Sequence, residues 1–302
     1  MMAATHVIQK KDRGLPMNAP TNSEQIQQAM ETAPGFLIPD PTEVPRLEGK
    51  VSDAEWRIRK DLAATYRLIA MHGWSDLVFT HISARLPDEP NDKGEMEHRF
   101  LINPYGVMFD EMTASALVKI DMNGTIKQDT PYFVNPAGFT IHSAVHMARD
   151  DAHFVIHVHT ANGMAVSAQK GGLRRYTQMA MQVYNDLAYH DYEGIALNLE
   201  ERERIVANLG SKSLLMLRNH GTLTCGPSAG VAFLRTYFLE NACRVQILAQ
   251  AAGTENLIEE PEDMGDRVYQ QGAAAFMPGM GDNLVWPGLM RKLARTNPGF
   301  DH

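Results

Sequence analysis

Two histidines one residue apart, His157 and His159, are the sharpest chemical feature of the chain. They close an apolar run, His153 to His159, that reads as a short buried strand. Residues i and i+2 of a strand point to one face. Two imidazoles on one face can share a divalent ion, and neutral imidazole suits zinc, manganese, iron or nickel. His220 follows a second apolar run, Ser213 to Leu217, and precedes Gly221, so it stands at a strand end in a tight turn. Three histidines from two strand ends leave a coordination position open, the layout of a catalytic metal site. His157, His159 and His220 are therefore the expected ligands.

His142 and His146 lie four residues apart on a helix expected over residues 139–149, so they share a face. His142 is the candidate acid or base, and His146 reads as structural. The run YNDLAYHDYEG (184–194) reads as a loop capping the sheet, with Tyr184 and Tyr189 as candidate proton donors. Cys225 has no base beside it and reads as a small buried residue. The turn Asn103–Gly106 either offers backbone N–H groups to an anionic oxygen or is a plain turn. No Walker A loop, no GxGxxG after a strand, no GxSxG elbow and no CxxC is present.

The elements that must hold these residues are partly legible. Ser52-Asp-Ala-Glu55 is a capping box, and a helix with Trp56, Leu62 and Tyr66 on its apolar stripe follows as far as Gly73. Strands are expected at 77–79, 81–85, 100–102 and 116–121, with Asn123-Gly124 as a hairpin turn. Thr160 to Ser167 reads as a helix start. Ser228 caps a long helix to about Ala252. Residues 1–51, polar and proline-punctuated, read as a flexible arm. Residues 52–255 form the domain, and 256–302 read as an extension of one short helix and an extended tail. Strands interleaved with helices and hairpins predict an α/β domain with a mixed sheet.

Composition narrows the function classes. The 302 residues carry 28 Lys+Arg against 36 Asp+Glu, a net charge of −8, which disfavours nucleic acid as a partner. No apolar run is long enough to span a membrane, and the first residues lack the apolar core of a secretory signal. Two cysteines make no disulfide framework, so a reduced, cytoplasmic setting is expected.

The stretches GWSDLVFTHISAR (73–85), INPYGVMFDEMTASALVKIDMNG (102–124), NPAGFTIHSAVHMARDDAHFVIHVHTANGMAVSA (135–168), AYHDYEGI (188–195) and LLMLRNHGTLTCG (214–226) resemble the class II aldolase/adducin family, closest in wording to the adducin head domain and bacterial proteins like it. The resemblance covers roughly residues 52–252. It implies a three-layer α/β/α sandwich around a mostly antiparallel mixed sheet. It also implies one divalent metal per chain, usually zinc, held by His157, His159 and His220 at a subunit interface of a homotetramer. Enzymes of the family cleave carbon–carbon bonds through a metal-stabilised enediolate; others decarboxylate or dehydrate. In family enzymes the C-terminal segment reaches a neighbour's site, which singles out Tyr269, Phe276 and Trp286, although Trp286 can equally anchor the segment on its own subunit.

Two departures bear on the chemistry. The acid-base glutamate of the sugar-phosphate aldolases falls at Gly138, and the serine pair that grips the phosphate falls at Pro136 and Ala137. His142, one turn after Gly138, is the possible substitute. The expectation is a metal-dependent lyase, decarboxylase or retro-aldol in type, acting on a small non-phosphorylated hydroxy-carbonyl or hydroxy-acid. The alternatives are a non-catalytic adducin-like interaction module and a sugar-phosphate aldolase or epimerase with a substituted acid/base.

Overall fold

The computed structural model describes residues 38–302 apart from 92, 197 and 277. Helix α1 (Asp53–Met71) starts where the capping signal places it. The Ser52 side chain accepts from the Glu55 N–H at 3.1 Å, and Gly73 leaves the helix at φ +70°. Strands β1 (His81–Arg85), β4 (Arg99–Ile102), β5 (Val118–Asp121), β6 (Phe154–Val158), β7 (Leu187–His190), β8 (Leu214–Leu217) and β9 (Gly221–Gly226) form one sheet, and β2 (Glu89–Pro90) pairs with β3 (Met96–Glu97) beside it. The large sheet runs β5-β4-β1-β6-β9-β8-β7. Its pairs are antiparallel except β7 with β8, so it is mixed and mostly antiparallel, as expected.

The helices complete two outer layers. On one face α1 and α6 (Ala229–Gln250) cover Ile82, Phe154, Ile156 and Val158. On the other, α2 (Pro136–Ala148) and α5 (Glu201–Leu209) cover Val155, Leu215, Leu223 and Cys225. The alternation along β6 assigns His157 to the α2 side with Val155. Beyond β6 come α3 (Ala161–Ser167), capped by Thr160, and α4 (Gln178–Tyr184), both packed on α6. None of the described helices is long and apolar enough to cross a membrane.

Several expectations need correction. Residues 77–79 are a turn, not a strand: the Phe79 N–H donates to the Asp76 carbonyl, and Leu77 has φ +46°. The run 184–194, expected as a loop, contains strand β7, and 221–226 forms strand β9, which the sequence reading did not assign. Both are short and lack strict alternation, so period alone does not reveal them. Asn123-Gly124 turns as expected, but the returning limb makes only the isolated Ile120–Ile126 bridge.

The flexible arm expected over 1–51 falls largely outside the described residues. From 38 onward the chain packs onto the domain: Val44 is buried, Tyr132 donates to the Pro39 carbonyl and Thr113 to that of Pro41. The C-terminal segment is mostly helical rather than extended, with α7 (Glu262–Gly272), short 3₁₀ and π turns, and α8 (Trp286–Thr296). Trp286 is buried against α1 and donates to Asp61 at 3.2 Å, while Arg67 reaches the Pro298 carbonyl at 2.6 Å. Trp286 thus anchors the segment on its own chain.

Candidate metal centre

His157 lies in the middle of the sheet, and His159 follows the end of β6 on the same face. His220 arrives from the β8–β9 turn, where Asn219 takes the left-handed conformation at φ +57°. Gly221 permits that turn to close: a β-carbon there would lie 2.5 Å from the Val158 carbonyl oxygen. The Asn-His-Gly sequence is therefore a steric requirement for aiming the third ring at the other two.

The three side chains converge. Nε2 of His159 lies 2.9 Å from Nε2 of His157 and 2.9 Å from Nε2 of His220, and the ligand atoms all fall within 4.8 Å of one another. Zinc–nitrogen bonds in tetrahedral geometry would separate these atoms by about 3.3 Å, so a slight opening admits the ion. Proton accounting agrees. His157 Nδ1 donates to the Thr222 carbonyl at 2.9 Å, and His159 Nδ1 faces the Asp76 carboxylate at 3.1 Å. Both tautomers leave Nε2 as a bare lone pair, the state a metal ligand needs. Burial and the neighbouring histidines push the imidazolium form of His157 far below its usual range, and burial foremost lowers His220 to about 4. His157 and His220 thus stay neutral while lone pairs of the three rings point at one another, and a cation resolves that repulsion. The donor set fits a divalent metal.

Sequence reasoning missed the residues that brace this set. The turn at 76–79, expected as a strand, brings Asp76 to His159. Thr222, which takes the proton of His157, is in turn held by Glu240, a buried carboxyl that accepts from the hydroxyls of both Thr222 and Thr160. Nothing local in the sequence links these positions.

A cavity of about 420 Å³ opens beside the triad, lined by His159, His220, His81, Asn135, Tyr105, Tyr192, Phe79 and Ile195 among others. Its described lining contains no Lys, Arg, Asp or Glu. His81 stands directly opposite His157 in the β1–β6 register, and their rings stack 5.3 Å apart. Burial, with His159 and His220 adding to it, depresses His81 to about 3.

The three expected proton-transfer residues are elsewhere. His142 is fully buried behind His81, its Nδ1 bonded to Ser83 Oγ at 2.6 Å, so it cannot meet a substrate. Tyr189 accepts from the Leu173 N–H, and its ring lies under the Arg218 guanidinium, 4.3 Å away. Tyr184 packs under Arg175 at the end of α4. Neither tyrosine lines the cavity; Tyr105 and Tyr192 do. Helical and loop context made the three look available, and packing against neighbouring elements removed them. Cys225 is buried, as expected, and burial pushes its thiol up to about 11.

Comparison with known proteins agrees with this architecture. Residues 60–247 match the class II aldolase and adducin N-terminal domain. A Caulobacter vibrioides protein, named only provisionally as an aldolase class 2 protein, is 57% identical over 254 residues, 84% of this chain and 95% of its own. Mouse alpha-adducin is 46% identical over 206 residues, 67% of this chain but 27% of the adducin. Among solved structures, an aldolase II superfamily protein from Pseudomonas syringae superimposes with a TM-score of 0.78 at 45% identity, covering 85% of this chain and 99% of that one. An L-fuculose 1-phosphate aldolase from Glaciozyma antarctica does so at 0.68 and 27%, covering 85% and 97%. The sheet order, the matched span and these identities place the chain in the class II aldolase and adducin N-terminal domain family.

Proposed function

We propose that the protein is a divalent-metal-dependent lyase that breaks a carbon–carbon bond in a small, non-phosphorylated hydroxy-carbonyl or hydroxy-acid. The observation that carries this reading is the convergence of three imidazole Nε2 atoms beside a cavity without charged lining side chains among the described residues. Zinc is the first choice for an all-imidazole set, and when bound it would polarise a carbonyl together with its neighbouring hydroxyl.

The chain's own groups orient the substrate. Asn135 caps α2 by accepting from the Ala137 N–H at 3.0 Å, which leaves its amide N–H₂ for the cavity it lines. The N-terminal end of α2 lies at the same wall and favours a carboxylate. Phe79, Tyr192 and Ile195 give the cavity wall an apolar part. No lining lysine or arginine among the described residues is available to hold a phosphate dianion, which argues against a phosphosugar. Decarboxylation suits the site better than aldol cleavage, because retro-aldol cleavage needs a base to take the proton of the β-hydroxyl, whereas a carboxylate leaves as CO₂ already deprotonated, and Gly138 supplies no base.

Phe79, Tyr192 and Ile195 line the cavity and are exposed, and exposed Leu77 lies two residues from Phe79. This apolar rim supports a homo-oligomer, a tetramer by family precedent, whose neighbour closes the site. Light scattering of wild type and Ile195→Asp tests it.

The function is tested by metal content. Elemental mass spectrometry should find about one divalent ion per chain in wild type and none in His157→Ala. Loaded wild type should release CO₂ from a hydroxy-keto acid. Wild type that takes up no zinc, manganese or iron(II) on reconstitution would sink the reading. It would favour the second one, a non-catalytic interaction module, which the likeness to alpha-adducin supports.

A further inference from the structure

Behind the metal centre a line of buried polar side chains runs through the sheet face toward α2. It begins at the Ala152 carbonyl, which can only accept. His146 Nδ1 lies 3.0 Å from it and so carries the ring proton. His146 is held neutral by burial, so its Nε2 is bare. That nitrogen lies 2.6 Å from Ser83 Oγ, which must donate to it. Ser83 Oγ also lies 2.6 Å from His142 Nδ1, and with its one hydrogen spent it accepts there. His142 therefore carries its proton on Nδ1, and its Nε2 is bare.

The order of protons then reaches the cavity. His142 Nε2 and His81 Nδ1 are the two histidine ring nitrogens among the described residues that are buried without a partner. They belong to adjacent rings, 5.3 Å apart and nearly perpendicular. A bare nitrogen beside a protonated one is favourable, whereas two bare nitrogens repel. His81 accordingly carries its proton on Nδ1. The remaining nitrogen, Nε2, is the one left to the cavity that His81 lines.

We propose that His81 is the hydrogen-bond acceptor of the cavity, held as the Nδ1–H tautomer by the Ala152–His146–Ser83–His142 relay, and that it recognises a hydroxyl group of the substrate. This rests on the cavity being the substrate site. A hydroxyl donates to a bare imidazole nitrogen; the oxygen of a fully deprotonated carboxylate, sulfate or phosphate ester, which has no hydrogen to give, is repelled by it. His81 sits where a side chain at position 138 would otherwise reach: a β-carbon on Gly138 would stand 3.1 Å from His81 Nε2. The glycine thus makes room for the ring. Ser83, His142 and His146 are positioning residues, since they touch His81 or its supports and not the substrate.

The tautomer can be read directly. Long-range ¹H–¹⁵N correlation spectra of histidine-labelled, zinc-loaded protein at neutral pH, assigned with His81→Gln, should show His81 protonated on Nδ1 alone. In Ser83→Ala the relay is cut, and His81 should become a mixture of both tautomers. A wild-type His81 protonated on Nε2 overturns the proposal without recourse to any variant. An unchanged tautomer in a folded Ser83→Ala overturns the relay. Sulfate, an oxyanion with no hydrogen at neutral pH, titrated into the wild-type sample should leave the His81 resonances unmoved, and a saturable shift would overturn the hydroxyl preference. Zinc content of the same samples separates the two readings. Its loss from wild type refutes the metal-dependent function, while the His81 tautomer answers independently because the relay does not pass through the triad.

Discussion

A β-carbon built on Gly138 would stand 2.6 Å from Cδ2 and 2.7 Å from Cγ of His81. The helix and the strand that carry these two residues are packed so closely that the ring of one occupies the side-chain space of the other. In the interior of a helix, replacing glycine by alanine normally stabilises by about 1 kcal/mol. Here the sign should invert. Gly138→Ala should destabilise by about 1–3 kcal/mol through overpacking, read as a lower urea midpoint at unchanged m-value. Pairing it with His81→Ala should restore the midpoint, and if the double variant shows no recovery the steric account is wrong.

Asp76 orients His159 without touching the cavity metal position itself. Asp76→Ala removes the acceptor for Nδ1–H and frees the ring to rotate and change tautomer. Metal affinity should fall roughly 10- to 100-fold, measured by competition with a chromogenic zinc chelator. His157→Ala, by contrast, should abolish binding.

Acid should loosen the relay before it reaches the carboxylates. Burial holds His146 at about 3, against an ordinary value of 6.5, so the unfolded chain binds its proton first as pH falls. The stability this neutral ring contributes is fully present above pH 6.5 and is lost progressively between there and about 3. The slope is about 1.4 kcal/mol per pH unit for one such group. Between pH 6.5 and 4.5 wild type should lose about 2 kcal/mol more than His146→Gln in urea unfolding. Parallel pH profiles for the two proteins would contradict the burial argument.

The C-terminal segment should matter for stability and not for the metal. Trp286→Ala empties a buried site between α8 and α1 and removes the bond to Asp61. A loss of about 3 kcal/mol is expected, with zinc content unchanged at one per chain. Loss of zinc in a still-folded variant would show instead that the segment supports the site.

The convergence of the three histidines was legible because its signals are local. His157-Val-His159 depends only on the two-residue period of a strand, and Asn219-His220-Gly221 only on what a tight turn tolerates. Caps at Ser52, Thr160 and Ser228 were legible for the same reason, since each side chain satisfies a backbone N–H within three residues. The family pattern and its departure at Gly138 could likewise be read along the chain. Strands β7 and β9 were not, because their pairing partners, rather than their own alternation, make them strands.

What the sequence by itself determined was which side chains could bind a metal and that position 138 carries no side chain to act as a base. Only the tertiary structure decided what stands in its place. His81 belongs to a different strand, and antiparallel register alone sets it opposite His157. The same packing withdrew His142 from the cavity and turned it into a support. Proton positions along His146, Ser83, His142 and His81 follow from which neighbour can only accept, and that is a property of three elements brought together across the sheet, invisible to any one of them.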